Sequence, residues 1–158
     1  MNALDMQFMQ IAIELAQRGM RNNEGGPFGA IVVKDNIIIG RGNNRVIITN
    51  DTTAHAEIVA IREACQYINN FQLDGCVIYA SCEPCPMCLG AIYWARLSKV
   101  YYGCTKMDAA QIGFDDEIIY KEFQVPVHER SIPMESISRD IALRVFVEWE
   151  EKRDKTRY

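Results

Sequence analysis

The apolar residues of this chain change period repeatedly over the first hundred positions, and that succession restricts the fold more than any other feature. Leu4, Phe8, Ile11, Ala12 and Leu15 recur at the spacing of an amphipathic helix, with Asp5 near its start and Gly19 where a C-cap glycine belongs. After a turn-like stretch at 22–27, Phe28–Val33 and Ile37–Ile39 read as two strands joined by a tight Asp35-Asn36 turn. Helical spacing returns over Ala54–Tyr67, with apolar residues at 54, 58, 61, 64 and 65, and Thr52 or Thr53 is placed to cap that helix. Val77–Ala80 reads as a buried strand, Cys85–Ala95 as a helix and Val100–Tyr102 as another strand. Alternation of this kind after a hairpin predicts an α/β sandwich, a mixed sheet with helices on both faces and a site at the strand ends.

The chain has 158 residues, 49% of them apolar and 24% charged, enough to bury one core. It contains no low-complexity tract, no long repeat and no Gly/Ser/Pro linker, so 1–158 reads as a single domain with a C-terminal extension. Seventeen basic against 21 acidic residues give a net charge of −4, which offers no bulk attraction for nucleic acid or anionic lipid. The first basic residue is Arg18, and no apolar run approaches the ~20 residues that span a bilayer. A cytoplasmic location follows as an expectation, with the six cysteines reduced. Residues 106–130 are acidic and hard to read. Ile132–Ile137 is placed as a last strand, and Asp140 starts a helix whose apolar positions (141, 142, 143, 145, 146, 147, 149) cover too much circumference for one buried stripe. Such a helix wants a second surface, from its own domain or from another subunit.

The chemistry concentrates in His55-Ala56-Glu57 and in Cys82-Glu83-Pro84-Cys85-Pro86-Met87-Cys88. Residues three apart on a helix point within about 60° of each other, so Cys85 and Cys88 can share one ion. Pro86 suits the first helical position and makes Cys85 the N-cap, setting both sulfurs at the positive end of the helix dipole, where thiolates are favoured. His55 is the candidate third ligand. Residues two apart on a helix diverge by about 200°, so His55 and Glu57 converge only if the chain at His55 is still entering the helix. Three protein ligands leave zinc a fourth position for water, whose pKa falls to about 7, and Glu57 is placed to take and return its proton. A lone C-x-x-C is as much a redox or structural pattern as a catalytic one, and a lone histidine is usually a cap or core residue. The combination of H-x-E with a downstream P-C-x-x-C is instead the signature of zinc-dependent nucleobase deaminases.

Four stretches extend that signature nearly end to end: Gly25-Gly-Pro-Phe-Gly-Ala30, Asn50-Asp-Thr-Thr-Ala-His-Ala-Glu57, Ser81 to Arg96, and Gly113-Phe-Asp-Asp116 with Ile119-Tyr-Lys-Glu122. On these the chain resembles the cytidine deaminase superfamily, and within it bacterial guanine deaminases, with tRNA adenosine deaminases as nearer cousins than cytidine deaminases. The last block is the one that selects the free-base enzymes. Thr52 stands where these families commonly have Pro, a change expected to alter loop stiffness and not chemistry. The resemblance implies a three-layer α/β/α sandwich around a central mixed five-stranded sheet. It implies one zinc per subunit on His55, Cys85 and Cys88, with Glu57 as proton shuttle. Asn44 would bind the purine through its amide, Phe28 and Trp94 would pack on the ring, and Asp116 would approach the departing amino group. Tyr158 would reach the site from a neighbouring subunit, because such enzymes exchange a C-terminal segment, here about 131–158, in a homodimer.

Guanine is then the expected small-molecule substrate, with guanosine, a related aminated ring or tRNA adenosine as alternatives. Each substrate residue also has a plainer reading: core packing for Phe28 and Trp94, a turn cap for Asn44, a solvated loop for Asp116 and a frayed end for Tyr158. Two readings from other classes remain: a closed structural Cys₃His zinc module with Cys82 as fourth ligand, and a thiol–disulfide oxidoreductase. Cys65, Cys76 and Cys104 read as small core hydrophobes.

Overall fold

Helix α1 (Ala3–Arg21) starts at a capping box, in which Asn2 Oδ1 accepts from Asp5 N and Asp5 Oδ2 accepts from Asn2 N, each at 2.9 Å. These are among the first residues of a computed structural model that describes residues 2–157. Gly19 does not end α1 but lies buried within it. A Cβ there would stand 2.4 Å from Asn43 Nδ2, so close approach and not capping demands the glycine.

Strands β1 (Gly29–Lys34) and β2 (Ile37–Asn43) form the predicted hairpin, its Asp35 and Asn36 both at positive φ. Strand β3 (Val77–Cys82) runs antiparallel to β1, and β4 (Lys99–Cys104) runs parallel to β3. The sheet is mixed and four-stranded, in the order β2-β1-β3-β4. Its two faces carry separate cores. Phe8, Ala12 and Leu15 of α1 pack on Ile31, Val33 and Tyr79. On the other face α3 (Ala56–Ile68) and α4 (Pro86–Trp94) cover Ala30, Val32, Ile78 and Ala80. Small residues bring these layers close: a Cβ on Gly42 would lie 2.1 Å from the Ala56 carbonyl oxygen, so α3 rests directly on the β2 backbone.

The expected fifth strand is absent among the described residues. Pro133 supplies no amide donor to a ladder, and Ile132 and Ile137 are both solvent-exposed, so 132–137 has neither a paired edge nor a buried face. Three short helices went unpredicted, α2 (Val46–Thr49), α5 (Lys106–Gln111) and α6 (Glu117–Gln124). Compact units comprise Met1–Asp116 and Glu117–Tyr158. The second contains α6 (Glu117–Gln124), a 3₁₀ turn at Val127–Glu129 and α7 (Arg139–Glu151), with both Glu122 carboxylate oxygens accepting from Ser131 N. Ile141, Val145, Phe146 and Val147 of α7 are exposed.

Asp5 also accepts a 2.7 Å bond from the hydroxyl of Tyr79, whose ring stacks on Tyr101. The Asn2 amide and then that hydroxyl hold the Asp5 carboxyl below its ordinary range. It therefore contributes stability above its unfolded value of about 4, and the contribution fades as pH falls through the lower folded value. Denaturant unfolding should show wild-type protein more stable than Asp5→Asn at pH 7, with the gap narrowing at pH 3. A gap that does not change with pH would assign the effect to packing alone.

Candidate active site

Two helix starts face one another at the carboxyl end of β3. His55 is the N-cap of α3, with φ −68° and ψ 156°, and Cys85 is the N-cap of α4, with Pro86 in its first turn. Because His55 is extended and Ala56 is the first helical residue, His55 and Glu57 converge as the spacing argument required. Neither Thr52 nor Thr53 caps α3. Asp51 instead accepts from Thr53 N at 2.8 Å and from Thr53 Oγ1 at 2.7 Å, securing the turn that contains Thr52.

His55 Nδ1 lies 3.5 Å from both Cys85 Sγ and Cys88 Sγ, and the three donor atoms all lie within 4.8 Å of one another. Two sulfurs and an imidazole nitrogen converging at a helix terminus suit zinc in donor chemistry and in number for an open catalytic site. The Cys85 thiol is pulled down to about 4, first by its hydrogen bond from Cys88 and then, against burial, by His55. The same Cys85 contact and burial push Cys88 up. His55 is raised chiefly by its bond to Cys85.

Glu57, 8% exposed, stands beside this triad without joining it. Burial pushes its carboxyl up, the direction that makes a carboxylate more able to exchange protons near neutral pH. Cys82 is not among the grouped donors: its thiol contacts the Thr105 carbonyl oxygen at 3.5 Å, and burial raises it to about 11. The closed Cys₃His reading therefore finds no fourth ligand in Cys82. The imidazole nitrogen between the two sulfurs likewise favours a metal over a dithiol redox pair.

A cavity of about 650 Å³ opens over Glu57, walled by Phe28, Asn44, Phe114 and Asp116. Asn44 is buried at the end of β2, and its Oδ1 accepts from Gly26 N at 3.3 Å and Val46 N at 3.2 Å. The turn-capping reading and a position on the cavity wall thus both hold. Phe28 meets Phe114 edge to face, with ring centroids 4.9 Å apart. Burial, then the Cys85 charge, raises the Asp116 carboxyl. Trp94 is 71% exposed and does not line this cavity. Tyr158 lies outside the described residues.

Phe114 is the wall residue that motif reading overlooked, although it sits inside the Gly113-Phe-Asp-Asp116 block. Glu83, from the cysteine motif, also lines the cavity and accepts from Lys106 N at 3.0 Å, tying the start of α5 to the metal loop.

Residues 2–104 match the family model of the cytidine and deoxycytidylate deaminase zinc-binding region, and the chain belongs to that family of zinc-binding deaminases. Among its relatives is the guanine deaminase of Bacillus subtilis (strain 168), 50% identical over 151 residues that cover 96% of this chain and 97% of the relative. A tRNA-specific adenosine deaminase of Buchnera aphidicola subsp. Schizaphis graminum is 43% identical over 66% of this chain and 68% of its own length. The X-ray structure of the Bacillus subtilis guanine deaminase superposes with a TM-score of 0.95 at 49% identity, covering 100% of this chain and 99% of that one. A guanine deaminase from Nitrosomonas europaea gives 0.65 at 32% identity, over 69% of this chain and 63% of that one. No helix among the described residues is long and apolar enough to cross a membrane.

Metal analysis of purified variants tests the donor set. Cys82→Ser should keep its zinc, whereas Cys85→Ser and Cys88→Ser should lose it. Zinc loss from Cys82→Ser would make Cys82 a fourth ligand.

Proposed function

We propose that the protein hydrolyses guanine to xanthine and ammonia, with zinc held by His55, Cys85 and Cys88 and protons moved by Glu57. The observation that carries this reading is a buried carboxylate beside a three-donor cluster, beneath a cavity walled by an amide, two aromatic rings and a second carboxyl group. Near-complete alignment with the Bacillus subtilis guanine deaminase supports guanine as substrate. When bound, zinc supplies a Lewis acid that lowers the pKa of a water molecule toward about 7.

The residues of the chain do the rest. Asn44, its carbonyl oxygen engaged by two backbone amides, offers its amide nitrogen to the purine. Phe28 packs on the ring, with Phe114 braced against it. Glu57 takes a proton from the attacking water and delivers it to the ring nitrogen beside the reacting carbon. It then takes the proton of the hydroxyl group added to that carbon and passes it to the exocyclic amine, which leaves as ammonia as the carbon–nitrogen bond breaks and the carbonyl of xanthine forms. Asp116, its carboxyl raised by burial, stands on the wall where that amine departs.

Carboxyl groups of Glu57, Glu83, Asp115 and Asp116 on the cavity wall, with the chain's net charge of −4, favour a free base over a polyanion such as tRNA. Six cysteines with no disulfide between them fit a reducing, cytoplasmic setting. The exposed apolar residues of α7 support a homodimer in which the segment from about 131 to 158 passes to the partner and Tyr158 closes the partner's cavity.

Glu57→Gln should lose about 10²–10⁴-fold in guanine turnover while keeping its zinc. Near-normal turnover, followed as ammonia release, would overturn the proton-shuttle role. Removing the last few residues should cripple turnover and leave the metal in place; unchanged kinetics would rule out a C-terminal lid.

A further inference from the structure

Behind Asn44 lies a hydrogen-bonded brace that does not touch the cavity. Asn43 Nδ2 donates to Glu24 Oε2 at 2.8 Å and to the Asn44 carbonyl oxygen at 3.1 Å. Glu24 in turn is held by the chain around it: its amide donates to the Gly19 carbonyl oxygen at 2.9 Å, and its own carbonyl oxygen accepts from Ile48 N at 3.3 Å. Asn43 is buried and Glu24 half-buried, and neither lines the cavity, whereas the next residue of each, Asn44 and Gly25, does.

The packing around this brace has no slack. A Cβ on Gly19 would overlap Asn43 Nδ2 at 2.4 Å, and a Cβ on Gly25 would overlap Asn44 Oδ1 at 2.1 Å. Asn44 Oδ1 is itself the acceptor for Gly26 N, so moving the Asn44 backbone moves the Gly25–Gly26 wall with it. The Asn43 amide carries one end of that arrangement and the Glu24 carboxylate the other. An Asn44 amide displaced by about 1 Å would lose its alignment with the base edge.

We infer that Glu24 and Asn43 are positioning residues that hold the Asn44 amide and the Gly25–Gly26 wall in the geometry that binds the purine base. This inference rests on the assignment of Asn44 as a base contact. Glu24 acts as an acceptor here, so a glutamine, which keeps an acceptor oxygen at the same reach, preserves the brace and an alanine does not.

The test uses full-length, zinc-loaded protein, with guanine kinetics, zinc content and amide hydrogen exchange of the 22–28 segment measured on each variant. Glu24→Ala and Asn43→Ala should raise KM for guanine roughly 5- to 30-fold, the worth of one hydrogen bond, with a smaller change in kcat and unchanged zinc. Glu24→Gln should restore KM to within about threefold of wild type, and exchange over 22–28 should quicken only in the alanine variants. Should Asn43→Ala fail to fold, the exposed edge of Glu24 leaves the Glu24 pair as the deciding comparison. Unchanged exchange, or faster exchange with KM unaltered, would overturn the inference. A wild-type protein inert toward guanine, with zinc bound, would overturn the functional reading and with it the base-binding role, whatever the exchange shows.

Discussion

The opposition of two helix N-termini organises this molecule. His55 and Cys85 each occupy the last extended residue before a helix, so each side chain emerges where unsatisfied backbone N–H groups concentrate positive potential. The Cys88 thiol and then His55 favour the Cys85 thiolate, while Glu57 meets competing demands: burial raises its proton affinity and its own backbone amide at the helix start steadies its anion. A carboxyl group balanced between those influences can change protonation during a reaction without prohibitive cost in either direction. The sheet supplies the platform, since α3 packs over β2 and α4 follows directly from β3.

Most of the platform and the metal donors were legible because they obey local rules. Period changes located both hairpin strands and the two central helices, and Pro86 placed Cys85 as an N-cap. Helix geometry set the condition for His55 and Glu57 to converge, that His55 precede the first helical residue, and the N-cap position of His55 meets it. Other features depended on contacts between distant residues. Gly19 resembles a C-cap glycine, yet its small size is required by Asn43, 24 positions away. Strand propensity in 132–137 could not outweigh Pro133 and the absence of a covering layer. Helix α5 had a readable signal in the Thr105-to-Asp108 capping box, hidden within a segment whose acidity drew attention first.

The cavity wall was the least legible part, because it is assembled from loops. Asn44, Phe28 and Asp116 reach the same space from three separate segments, and nothing in their sequence spacing states that they meet. Phe114 shows the difficulty well: its role emerges only through an edge-to-face contact with a ring 86 positions earlier. Family resemblance reached these residues where periodicity could not, although Trp94, carried over on the same grounds, stands outside the wall.

The seating of α3 on Gly42 has a mechanical consequence. A helix resting on bare main chain has no intervening side chain that can rotate, compress or repack. His55 opens that helix and Asn44 lies two residues beyond that glycine, so the proposed anchors of the ion and of the base are both tied to one stiff girder. The distance between them is set first by how those two polypeptide layers pack and only then by the short segment that carries Asn44.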